Sequence, residues 1–119
     1  MTVWYWKMEL KPDDFSADSL RSKETLAVLF VASWCSFCRQ FYPAFQAAAE
    51  RTGIAWGPMD ISDDDNPLWD VFGIAVVPTI ILFKGGKAVF RRDGVLGRGL
   101  SEKSIEETVE KMKLLSTTP

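Results

Sequence analysis

Residues 26–32 read Leu-Ala-Val-Leu-Phe-Val-Ala, an apolar run with no polar break. A strand with one face in water alternates apolar and polar side chains. An unbroken run with branched residues instead predicts a strand covered on both faces, as at the centre of a sheet with a parallel neighbour. Immediately afterwards the period changes. From Ser36 to Arg51, Phe37, Phe41, Phe45 and Ala48 recur at helical spacing, and Gly53 follows as a stop. Pro43 lies inside that helix and should kink it.

The flanking segments extend this strand-to-helix unit in both directions. Residues 3–10 alternate loosely and are rich in aromatics, which suits a strand. Residues 11–22 open with Pro12, Asp13 and Asp14, which favour the start of a short helix. Residues 54–61 read as a weaker strand interrupted by Gly57-Pro58, residues 62–67 as an acidic, solvated loop, and residues 68–73 as a helical turn or two ended by Gly73. Two apolar strands flank Lys84-Gly85-Gly86-Lys87 in a hairpin over 79–94. Residues 97–115 predict an amphipathic helix, capped by Ser101 or Ser104 with Glu107 in a capping box, whose apolar face is Ile105, Val109 and Met112. The order β-α-β-α-β-α-β-β-α predicts an α/β fold. Its central mixed sheet joins a parallel βαβ section to an antiparallel hairpin, with helices on both faces. At 119 residues the chain has room for one domain, 1–119, with 115–119 as a frayed tail.

Charge and composition remove several function classes. With 14 basic and 16 acidic residues there is no footprint for nucleic acid or an anionic membrane. The apolar runs are far short of a spanning helix, and no signal peptide is read at the N-terminus, so the expected compartment is the cytoplasm. The chain has no histidine, which removes His-based acid–base catalysis and most transition-metal sites. No metal or organic cofactor is expected.

The two cysteines, Cys35 and Cys38, are separated by Ser36-Phe37 and fall where the central strand hands over to the helix. Reaction sites of open α/β sheets gather at strand C-termini. There the unpaired first amides of the helix, together with its dipole, favour a thiolate at Cys35, the form that attacks a disulfide. Cys38 lies one turn on and further inside, which suits a resolving thiol. A loop this short gains little as a structural staple, because closure entropy grows with loop length. A zinc site would need two further ligands or a second chain. C-x-x-C beside a βαβ pattern therefore reads as a redox motif.

The resemblance extends beyond that motif. The segment 26–45, with Trp34 before the first cysteine, Arg39 after the second and Pro43 in the helix, resembles the central strand and active-site helix of the thioredoxin family. Residues 59–67 resemble its third strand and acidic loop, residues 73–87 its cis-proline segment, and Gly97 or Gly99 the glycine before its last helix. By that resemblance Pro78 should be cis and face the sulfurs. Val77 should offer its backbone to an extended substrate, as in β-augmentation, beside Trp34, Ser36, Phe37 and Gly97. The resemblance implies a protein-disulfide reductase, with Cys35 as nucleophile and Cys38 as resolving thiol. It would act as a monomer in electron transport and redox homeostasis, on protein disulfides, with electrons from a reductase or another dithiol. Apolar Val77 favours the reducing direction. A disulfide oxidase or isomerase of the same fold, and a binding or chaperone module with incidental cysteines, are the rival readings. Trp4, Trp6, Trp56 and Trp69 are read as packing residues.

Two departures bear on mechanism. Familiar thioredoxins carry Gly-Pro between the cysteines where this chain has Ser36-Phe37, a change that can shift the reduction potential. They also carry a buried Asp at the position of Leu29, which helps move the proton of the resolving thiol. Glu50 and Asp60 are the candidate acids in its place, and an apolar Leu29 should raise the Cys38 pKa.

Overall fold

The computed structural model describes residues 6, 7 and 9–117. Along the chain run β1 (Trp6–Lys7), a 3₁₀ turn (Pro12–Asp14), β2 (Phe15–Ser16), β3 (Ser19–Leu20), β4 (Leu26–Val31), α1 (Ser36–Thr52), β5 (Ala55–Asp60), α2 (Leu68–Val71), β6 (Thr79–Lys84), β7 (Lys87–Arg92) and α3 (Glu102–Thr117). The main sheet has the order β1-β5-β4-β6-β7; β1, β5 and β4 are parallel, and β6 and β7 are antiparallel additions. The apolar run is its middle strand.

Alternate residues of β4 feed two cores. Leu26, Val28 and Phe30 pack with Phe15, Leu20, Phe72, Ile81 and Phe83, while Ala27 and Leu29 pack with Phe41, Phe45, Trp56, Ile105, Val109 and Met112. Every residue from Leu26 to Phe30 has zero exposure, so each large side chain contributes about 1.5–3 kcal/mol of burial. Of the face expected for α1, Phe41, Phe45 and Ala48 are buried and Phe37 is half-buried against the other core; the face expected for α3 is buried. Gly53, at φ 73°, ends α1 in the left-handed region a side chain avoids.

Four expectations need correction. Residues 11–22 are not a helix beyond Pro12–Asp14; β2 and β3 form a tiny hairpin with Phe15 opposite Leu20. Both side chains are buried. Five residues apart on a helix they would point about 140° from one another, whereas the hairpin turns both to the core, with Ala17 at φ 53° carrying the turn. Second, β5 runs unbroken through Gly57-Pro58, in register with Val28 and Leu29. A strand residue's N–H and C=O share a side. The Pro58 carbonyl accepts from Leu10 N–H at 3.1 Å, so its missing N–H also faces away from β4 and costs that ladder nothing. Third, α3 begins at Glu102 rather than 97, because Val95 and Gly99 exchange backbone hydrogen bonds around Gly97. Ser101 therefore precedes the helix, Ser104 lies within it, and Glu107 bonds Arg92 at 2.9 Å instead of closing a capping box. Fourth, α3 continues to Thr117, so residues 115–117 are helical rather than a frayed tail. Of the N-terminal strand, 3–5 and 8 lie outside the described residues, as does Trp4. No helix of the described residues is long and apolar enough to cross a membrane.

Candidate active site

Cys35 is the N-cap of α1. Its sulfur accepts the Cys38 N–H at 3.1 Å, in the role a serine or aspartate oxygen usually fills. Its thiol donates to the Val77 carbonyl at 3.4 Å, tying the start of α1 to the segment before β6. The Val77–Pro78 bond is cis. Both cysteines are buried and not bonded to each other. Burial, then the hydrogen bond with Cys35, pushes the Cys38 thiol up to about 12; the Ala32 amide and the Arg39 charge pull weakly the other way.

The expected site residues fall into two groups. Trp34, Ser36, Phe37, Val77 and Pro78 surround the cysteines: Trp34 is 57% exposed, Ser36 is exposed, Phe37 is half-buried, and Val77 and Pro78 are buried. Gly97 stands apart at the tip of the 95–99 turn, where a Cβ would meet nothing. The glycine that touches the cis-proline is Gly94. A Cβ there would lie 2.4 Å from the Pro78 carbonyl oxygen, and its N–H donates to Thr79 Oγ1 at 3.3 Å. Gly99 gives room to Phe37 in turn, since a Cβ on it would fall 2.8 Å from Phe37 Cβ.

Trp69 also belongs to this face. It is half-buried and lies nearly parallel to Trp34, with ring centroids 6.3 Å apart and 7° between planes. Each indole is anchored by its N–H: Trp34 to the Ser62 carbonyl at 2.9 Å, Trp69 to those of Ile61 and Asp63 at 3.0 and 3.2 Å. The two rings form a flat apolar plate beside the cysteines. Ser62 braces it, accepting the Ser33 N–H at 2.7 Å and donating its hydroxyl to Asp60. Spacing alone does not pair Trp34 with Trp69, because α1, β5 and an acidic loop without periodicity lie between them.

The candidate acids separate clearly. Leu29 is fully buried in the core formed with α1 and α3. Glu50 is exposed on α1. Asp60, at the end of β5, lines a groove of about 420 Å³ together with Cys38, Arg39, Tyr42, Pro43 and Ser33. Among the described residues, no cluster of three or more His, Cys, Asp or Glu is arranged to hold a metal ion.

A family model described as Thioredoxin matches residues 7–111. Thioredoxin of Chlamydia muridarum is 37% identical over 89 residues, covering 74% of this chain and 85% of that protein. Chloroplastic thioredoxin X of Arabidopsis thaliana is 35% identical over 101 residues, 82% of this chain but 56% of the relative. The bifunctional thioredoxin reductase/thioredoxin of Mycobacterium leprae is 30% identical, and the chain spans 22% of it. Among solved structures, the short form of thioredoxin f from spinach chloroplast superposes with a TM-score of 0.72 over 95% of this chain and 98% of that one, at 19% identity, a likeness of fold.

Proposed function

The chain belongs to the thioredoxin family, and on that premise we propose that it is a thiol:disulfide oxidoreductase that reduces protein disulfides. The observation that carries this reading is the setting of Cys35, whose sulfur caps a helix and hydrogen-bonds Val77 beside an exposed tryptophan plate. Cys35 is the nucleophile. Its thiolate attacks a substrate disulfide, forming a mixed disulfide and releasing one substrate thiol. Cys38, one turn on, attacks Cys35 Sγ, releases the second substrate thiol and leaves the Cys35–Cys38 disulfide. An extended substrate segment docks against the Val77 backbone, flanked by Trp34, Ser36, Phe37 and Pro78.

Electrons return from a reductase or another dithiol. The Mycobacterium leprae relative, named as a fusion of reductase and thioredoxin, supports a partner of that kind. The reading places the protein in a reducing cytoplasm as a monomer. Dithiothreitol-driven reduction of insulin tests it: Cys35→Ser should abolish turnover, and Cys38→Ser should stall as a mixed disulfide. Full activity in Cys35→Ser would remove Cys35 from the mechanism. Direction is tested by titrating the dithiol against glutathione. A potential at or below the cytosolic poise, roughly −220 to −260 mV, fits a reductant; one well above it fits an oxidase or isomerase.

A further inference from the structure

Resolution requires Cys38 to lose its proton, and its surroundings oppose that. The thiol is 3% exposed, and burial together with Cys35 holds the proton on. No acid lies beside it in β4, where Leu29 occupies the other core. The groove along Val31, Ala32 and Ser33 reaches Cys38 from the solvent side, and one carboxylate lines it, Asp60. This side chain is held in place. Its Oδ1 accepts both the Ser62 N–H, at 2.8 Å, and the Ser62 hydroxyl, and no described residue donates to Oδ2. The other ionisable groups on the groove are Arg39 and Tyr42 of α1; across from them, Cys35 faces Cys38 at the helix start. At about 420 Å³ the groove has room for water, and Asp60 and Arg39 line it.

From this geometry we infer that Asp60 accepts the Cys38 proton through water in the groove and so drives the resolving step. The inference rests on the reductase reading above. In the mixed disulfide, the Cys38 S–H bond breaks and its proton passes to the Asp60 carboxylate. The Cys38 thiolate forms a bond to Cys35 Sγ as the bond between Cys35 and the substrate sulfur breaks. The leaving substrate thiolate takes up the proton, by way of Asp60 and solvent. Two electrons leave the dithiol and reduce the substrate disulfide. Asp60 hydrogen-bonds neither sulfur, so it is a positioning residue that supplies a base by way of water.

Stopped-flow reaction of the reduced protein with one equivalent of an aromatic disulfide separates the two steps. The first equivalent of coloured thiol reports attack by Cys35, the second resolution by Cys38. Asp60→Asn should leave the first phase within about twofold and slow the second about a hundredfold near neutrality, the low end for a positioned base. The deficit should shrink as alkali takes over deprotonation, and Asp60→Glu should restore much of the rate. A second phase in Asp60→Asn matching wild type across the pH range overturns the proposal. So does an equal slowing of both phases, or a deficit that stays constant with pH, since either is what a merely structural role gives. Loss of the first phase in Cys35→Ser, by contrast, reports only on the reductase reading, and a wild type that releases one equivalent alone defeats both.

Discussion

Gly94 offers a sharp test of how the cis-proline segment is held. Its backbone does not need the left-handed region, so a methyl group there is opposed only by what it meets. It meets the Pro78 carbonyl oxygen at 2.4 Å and Val76 Cγ1 at 3.2 Å. An ordinary carbon–oxygen contact begins at about 3.3 Å, so the alanine methyl is about 0.9 Å too close to a main-chain atom that cannot rotate away. The 93–95 strand exit and the Pro78 peptide must separate, stretching the Gly94 N–H bond to Thr79 Oγ1, already 3.3 Å long. Overpacking of this kind costs about 1–3 kcal/mol, which for a domain of this size is roughly 4–12 °C in Tm. Because the displaced atoms adjoin Val77, insulin reduction by Gly94→Ala should fall as well, chiefly through KM. Gly97→Ala is the matched control. It has open space but a φ of 80°, so it should cost about 1–2 kcal/mol through backbone strain alone and leave KM unchanged. Thermal unfolding by circular dichroism and steady-state insulin reduction provide both readouts. A Gly94→Ala protein with wild-type Tm and KM would refute the argument that this contact sets the proline segment.

Trp69→Ala removes the ring stacked on Trp34 and should lower stability by about 1 kcal/mol beyond lost burial. It should also raise KM for protein substrates more than it lowers kcat. Arg91→Ala leaves the Phe72 and Gly73 carbonyls after α2 without the guanidinium that bonds both, along with Asp93. Chemical denaturation should show a loss of about 1–3 kcal/mol with little change in activity. The Cys38 thiol gives a pH signature. Its proton is released near 9 in the unfolded chain but only near 12 in the fold. The contribution is therefore complete below about 9 and lost as pH rises from there through about 12. Against Cys38→Ser, the wild type should lose its relative stability across that alkaline window, and parallel curves would show that the thiol does not titrate as described.

The layered fold and the cysteine site were legible because their signals are local. A short unbroken apolar run rich in branched residues, followed at once by a helical period, reads as a covered strand feeding a helix, and the cysteines sit on that junction. Gly94, Trp69 and Asp60 were harder to read, each for a physical reason. Three glycines crowd 94–99, and only the return path of β7 past Pro78 decides which one makes the close approach. Trp69 is carried to Trp34 by an acidic loop without a period, so its packing partner is set by tertiary contact. Asp60 was one of two candidate acids, and only the parallel register of Val31 with Asp60 brings it to the groove beside Cys38. Residues 11–22 misled for the opposite reason. Good helix-start residues at Pro12 and Asp13 were overridden by the need to bury Phe15 and Leu20 together.

The hydrogen bond from the Cys35 thiol to the Val77 carbonyl joins segments 42 positions apart. A disulfide sulfur carries no proton, so this clasp exists only in the reduced molecule. Oxidation leaves the Val77 oxygen without that donor, beside the sulfurs. The two redox forms therefore differ at the junction of α1 and β6: in one the Val77 acceptor is engaged by the thiol, in the other that donor is gone.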